Sequence, residues 1–517
     1  MKNRSYMKAL SLITGAALLL SFASCSKTTG TEDSSVSSTV SAESSVKEIN
    51  TGDIKINEEI TNDKDGGHAI EADGITAEYS NVKVTKTGNS DSGDEADFYG
   101  DNSAVFATNG ATLTLKGIVA DTNGTHANAV FSYGKGTTVN ISDSVITTSG
   151  NCSGGLMTTG GGTMNATNLT IHTTGNSSAA IRSDRGGGTV NVDGGSYTTD
   201  GTGSPVIYST ADITVSNATL ESTASQGVVV EGKNSVTLNN VKLTADNNTQ
   251  NSDKSDTYQA VMIYQSMSGD ADEGLASFSM SGGSLTNVKG DVFFVNNTVA
   301  NITLENVNIV NKDADGVFLR AAAAGWGSSG SNGGKVNLYL NKQTLEGDIS
   351  VDSVSQLNVY LASESTYKGA VNTEDGGEVY VEIGSGSKWV LTGDSSISSL
   401  TCDADSIELN GPTLYVGGVA YSEGAASKGD PIELKSASSG KGGAPDGMPG
   451  DPPDGMPGDP PDGIPGDPPD GIPGDPPDGI LGDPPDGDGS GRPELPPDGN
   501  GGPGNEPPAR SNDGASV

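Results

Sequence analysis

Arg182, Asp184 and Arg185 form the only dense charged cluster on a predicted strand and the turn that follows it. An arginine acting as base or charge clamp, beside carboxylates that hold calcium, is what elimination on an acidic polysaccharide requires. The positions one repeat away are Met157 and Thr159 on one side, Ile207 and Ser209 on the other, and they add no carboxylate. A salt-bridged surface pair is the competing reading. An inverting hydrolase needs two carboxylates with room between them for a water, and no such pair stands out. His68, His126 and His172 fall in turns or strand ends without partner motifs and read as incidental. Cys152 and Cys402 are about ten repeats apart. At roughly 4.8 Å per layer that is beyond disulfide reach, so both read as packing residues and not as a metal or redox pair. No cofactor and no metal is expected.

A second pattern is apolar. Phe106, Phe131, Met157, Arg182, Ile207, Val229, Met262, Phe293 and Phe318 each follow an apolar residue in the same place of a repeat, and Tyr133 and Tyr264 lie two residues further on. If the preceding residue faces inward, period-two alternation turns these outward. The expected binding face is therefore Phe106, Phe131, Tyr133, Met262, Tyr264, Phe293 and Phe318, with rings able to stack on sugar rings. The alternative is that a loop covers the stripe or that the phase is shifted. Insertions at 246–258 and 268–277 lengthen two turns and are placed to shape such a surface.

The elements that position these residues are repeats. Ala104, Ala129, Gly155, Ala180, Pro205, Gly227, Ala260, Asp291 and Gly316 each precede an apolar run, at intervals of 25, 26, 25, 25, 22, 33, 31 and 25 residues. That period, without helical phase, predicts a β-solenoid. Within the unit from Ala129 to Asn151 three short strands fit, near 129–132, 138–142 and 145–148, with Val139 and Ile141 on one face. The bend after the second strand keeps Asp143, Asn168, Gly194, Asn217, Asn240 or Asn306, residues that tolerate left-handed backbone.

On these bends and ladders the chain resembles the right-handed parallel β-helix proteins, the pectate-lyase-like superfamily, over about residues 53–425. The hand follows from that resemblance and from the crossover preference. The superfamily's enzymes are mostly polysaccharide lyases and hydrolases, but the paired Asp, Gly-His-Gly and Arg-Ile-Lys motifs of polygalacturonases are missing. The stretch 178–222 also resembles bacterial β-helix surface proteins. The 22-residue rhythm of Leu345, Tyr367 and Trp389 is similar to the end of a pertactin-type helix, in which a Trp caps the stack.

The ends differ in kind. Lys2, Arg4 and Lys8 precede a short apolar stretch, Ala9 to Leu20, as in a secretory leader. Phe22-Ala23-Ser24-Cys25 resembles a bacterial lipobox, which implies cleavage after residue 24 and a lipid on Cys25. Residues 25–52, rich in Ser and Thr, read as a tether, and 426–517, with an eight-residue Pro-Asp-Gly-Met-Pro-Gly-Asp-Pro repeat, as a disordered acidic tail.

Composition narrows the partners. A net charge of −38 with 28 Lys and Arg argues against nucleic acid and against an anionic membrane face, leaving the lipid as the expected membrane contact. With 5% aromatic residues the chain suits a narrow, repeated core. The expectation is a lipid-anchored protein on the outer face of the cell membrane, a non-catalytic adhesin that binds polysaccharide or another extracellular polymer. A polysaccharide lyase or hydrolase and a structural spacer are the alternatives.

Overall fold

The computed structural model describes residues 48–434. The leader, Cys25 and the octapeptide repeats lie outside the described residues. From Glu58 to Ala420 the chain is all-β and winds as a parallel β-helix.

One sheet of eleven strands runs through the stack, from Ile70–Asp73 through Val130–Tyr133 and Gln259–Tyr264 to Ile349–Val351, each strand parallel to its neighbours. A larger sheet of eighteen strands, whose long strands bend in the middle, carries most of the rest, and sheets of four and three strands complete the later coils. The bends are where the sequence places them: Asp143, Asn168, Asn217, Asn240 and Asn306 have φ between 49° and 55°, and Gly194 has φ 76°. The side chains also bond along the stack, Asn168 Nδ2 to Asp143 Oδ1 at 2.9 Å and Asn240 Nδ2 to Asn217 Oδ1 at 3.1 Å. Each amide thus satisfies its neighbour on a surface where the left-handed backbone turns the chain.

The core is a set of ladders. Val105, Val130, Leu156, Ile181, Ile207, Val228, Val261, Phe293 and Leu319 occupy one register and are all buried. A third corner uses hydroxyls in place of apolar groups. Ser153, Ser178 and Ser204 are fully buried, and each Oγ accepts a backbone N–H from the coil before it while donating to a carbonyl of that same coil. Coils approach so closely there that a Cβ on Gly150 would sit 1.8 Å from the Gly124 carbonyl oxygen.

Three sequence expectations need correction. Phe293 and Phe318 do not face outward: both are in the core, their rings edge to face at 5.4 Å. Ile207 pairs with Ile181 and points inward as well, so Tyr208 takes the place beside Arg182. These apolar runs carry no polar marker of phase, and pairing with the adjacent coils sets it: Ile207 aligns with Ile181 and Val228, and Phe293 with Val261 and Leu319. Trp389 is also not the end of the stack. It is buried, donates Nε1–H to the Gly369 carbonyl at 3.0 Å, and is followed by Ile407 in the next coil. The apolar end is closed by the antiparallel pair Leu414–Val416 and Val419–Ala420. Beyond it, Ser427 forms an antiparallel bridge with Cys402, and the Ile432 backbone N–H and carbonyl bond the Asn358 side-chain amide.

Candidate functional site

The outward row of the eleven-stranded sheet reads Glu71, Phe106, Phe131, Met157, Arg182, Tyr208, Val229, Met262, Phe294, Arg320 and Ser350. Its apolar members fall into two clusters, one on each side of Arg182. Phe106, Phe131, Tyr133, Met262 and Tyr264, expected to be an exposed aromatic stripe, do lie on this row or two residues along from it. Phe106, Phe131, Met262 and Tyr264 are buried and Tyr133 is half-buried, because segments inserted between strands pack over them.

The first cluster, Phe106, Phe131 and Met157, is covered by a short helix, Gly93–Tyr99. Ser92 caps it by accepting the Glu95 N–H, and Gly100 ends it with φ 88°. A Cβ at Gly100 would lie 2.3 Å from the Phe106 ring, so only glycine lets the helix end sit on that ring. Thr159 donates its hydroxyl to the Phe98 carbonyl at 2.6 Å, and Tyr99 meets Tyr133 edge on at 5.8 Å.

Arg182 marks the seam. Its guanidinium bonds Asp184 at 2.7 Å and lies 3.6 Å from Asp97 on the helix. Burial works against its charge, but Asp97 and Asp184 outweigh that and raise its pKa. Burial raises the Asp184 pKa, with Arg182 opposing. Arg185 bonds Asp270 at 2.8 Å and lies 3.9 Å from the Phe98 ring centroid. The three cluster residues therefore hold the helix and the 265–274 turn to the sheet. Arg320 is equally engaged, 2.6 Å from Asp291.

The second cluster, Val229, Met262, Tyr264 and Phe294, lies beneath irregular loops and beside an open cleft. Residues 246–258 form one wall, and Trp326, 5.2 Å from the Tyr264 ring, forms the other. The two loops meet where the Gly325 N–H donates to the Lys254 carbonyl at 2.7 Å. Tyr208, Tyr258, Tyr264 and Trp326 present rings to the cleft, and Gln226, Asn247, Gln250, Asn251 and Gln259 present amides. The Gln259 Oε1 is buried and has no hydrogen-bond partner among the described residues.

Beneath the rings lies a buried carboxylate, Glu231, 1% exposed. It accepts from the Tyr208, Tyr264 and Ser266 hydroxyls. Burial raises the pKa of both tyrosines, with Tyr264 and then Glu231 adding to it at Tyr208 and Glu231 adding to it at Tyr264, so they remain hydroxyl donors. This network fixes the two phenol rings against the cleft floor.

No protein-family model matches the chain, and no curated protein and no solved structure matches it. What the site does is therefore read from its own chemistry.

The sequence reading missed Tyr208, Tyr258, Trp326 and Glu231. Only the 246–258 insertion signalled the cleft. It also separated residues that the fold unites: His126 and Cys152 occupy equivalent turns of adjacent coils, as their spacing of one repeat signals, and Asp97 reaches both from the helix. His126 Nδ1 lies 3.1 Å from Asp97 Oδ1, and its pKa is raised to about 10 by hydrogen bonds with Asp97 and Cys152.

Proposed function

We propose that this protein is a non-catalytic binding protein of the cell surface that takes a polysaccharide or similar extracellular polymer in the cleft between residues 246–258 and Trp326. The observation that supports this best is the pairing of rings and amides there. Sugar rings present apolar C–H faces and hydroxyl edges. Aromatic faces suit the former, and Gln and Asn side chains, which both donate and accept, suit the latter.

In this reading Cys25 carries the lipid, residues 25–52 form the tether, and the pectate-lyase-like β-helix holds the cleft away from the membrane. The charged groups with enzymatic potential, Arg182, Asp184 and Arg185, are engaged in ion pairs that fasten the helix and a turn. That engagement favours binding over catalysis.

A glycan array probed with the purified protein, followed by calorimetry on each hit, tests this reading. Binding that weakens at least tenfold in Trp326→Ala and in Tyr258→Ala supports it. Absence of any glycan hit, or hits indifferent to both substitutions, overturns it. Release of unsaturated or new reducing ends from a hit, lost in Arg182→Ala, would replace it with an enzymatic function.

A further inference from the structure

Asp97, His126 and Cys152 bring a carboxylate oxygen, an imidazole nitrogen and a thiol sulfur within 4.8 Å of one another. We propose that these three residues bind one thiophilic divalent cation of the Zn2+ class, with a fourth position left to solvent. The donor set is mixed nitrogen, sulfur and oxygen, which suits zinc and disfavours calcium and magnesium, whose ligands are oxygens. Donor atoms around tetrahedral zinc stand roughly 3–4 Å apart, as zinc–ligand distances of about 2.0–2.3 Å require. His126 and Asp97 already meet that spacing at 3.1 Å. The cation displaces the imidazolium proton of His126 and the thiol proton of Cys152 to solvent, and thiolate and carboxylate then neutralise its divalent charge, so the half-buried site need not hold a net charge.

The surroundings orient these ligands. His126 and Cys152 both adopt left-handed backbone, φ 55° each, at stacked turn positions, which directs them side by side. Backbone bonds fix the stack: the His126 N–H donates to Asn151 O at 2.9 Å and the Cys152 N–H to Asn176 O at 2.8 Å. Asp97 divides its oxygens, Oδ1 toward His126 and Oδ2 toward Arg182 at 3.6 Å. An outer partner of this kind holds a carboxylate in place for a metal. The helix that supplies Asp97 is the one lying over the first apolar cluster, so a bound cation would pin that helix to two coils.

The test is Co2+ titration of the metal-stripped, reduced full-length protein, followed by competition with Zn2+. One equivalent of Co2+ is expected to give a thiolate-to-cobalt charge-transfer band, displaced by Zn2+. The band should vanish in Cys152→Ser, and Co2+ affinity should fall at least tenfold in His126→Ala and in Asp97→Asn. Cys402→Ser should retain both band and affinity. The next coil already carries serine at the corresponding turn, Ser177 with φ 55°, so Cys152→Ser keeps a residue type that this turn accepts. A circular dichroism spectrum matching wild type checks that it folds. No band at one equivalent overturns the proposal, as does a band that survives Cys152→Ser. Unchanged affinity in both His126→Ala and Asp97→Asn also overturns it as a three-donor site.

Discussion

The two apolar clusters on the outward row lie on the same sheet, with the same strand spacing and similar side chains, yet they meet opposite fates. Phe106, Phe131 and Met157 lie under a capped helix with ion-paired and hydrogen-bonded ends. Val229, Met262 and Phe294 lie under loops that meet at one backbone bond and leave a cleft between them. The sheet supplies an apolar surface in both cases, and the inserted segment decides whether it becomes core or cleft. A regular helix satisfies its own backbone groups and can seal against rings. An irregular loop rich in Asn, Gln and Ser keeps polar groups available to a ligand.

Substitutions separate the two regions most sharply through stability. Phe131→Ala removes a fully buried ring from the sealed cluster and should cost about 3–5 kcal/mol in chemical denaturation. Glycan binding at permissive temperature should survive it, and loss of binding with little loss of stability would reverse the assignment of the two regions. Arg182→Met tests the seam. It leaves Asp184 without its cation and Asp97 with His126 alone, and should cost about 3–5 kcal/mol, with faster hydrogen exchange in 93–99. An unchanged exchange rate there would show that the ion pairs do not hold the helix. Trp326→Ala should do the opposite of Phe131→Ala, with stability reduced by about 1 kcal/mol and any glycan affinity reduced at least tenfold.

The smallest effect is a pH dependence confined to the sealed side. His68 stacks on Phe106 at 4.5 Å, and burial lowers its pKa below 6.5. The unfolded chain therefore takes up a proton before the folded protein does, and stability falls as pH drops below about 6.5. Urea midpoints at pH 7.5 and 5.5 should differ less in His68→Gln than in wild type. An equal difference in the two proteins would assign the acid sensitivity elsewhere.

The repeat and its bends were legible in the sequence because each has a local cause. Asn, Asp and Gly at the bends are the residues that accept left-handed backbone, and Val139 and Ile141 alternate as an inward pair must. Phase failed where the run itself carries no polar marker. Val292-Phe293-Phe294 and Val317-Phe318-Leu319 are apolar throughout, so either parity fits, and pairing with the neighbouring coils decides which ring faces inward. A covered row and an exposed stripe both fit the sequence, and the form of the cover is not legible in it. Helix Gly93–Tyr99 has no apolar periodicity of its own beyond Ala96 and Phe98, and Trp326 lies in a loop whose approach to Tyr264 depends on tertiary contacts. Asp97, His126 and Cys152 were invisible as a group because two of them are neighbours only through stacking and the third only through the helix.

Hydroxyl-radical footprinting of the native protein tests most directly whether one row is sealed on one side and open on the other. Trp326 and Tyr258 should label rapidly, and Met157 and Phe131 only after denaturation, although methionine sulfur is intrinsically easily oxidised. Oxidation of Met157 in the native protein as fast as that of Trp326 would contradict the sealed half, and protection of both Trp326 and Tyr258 would contradict the open one.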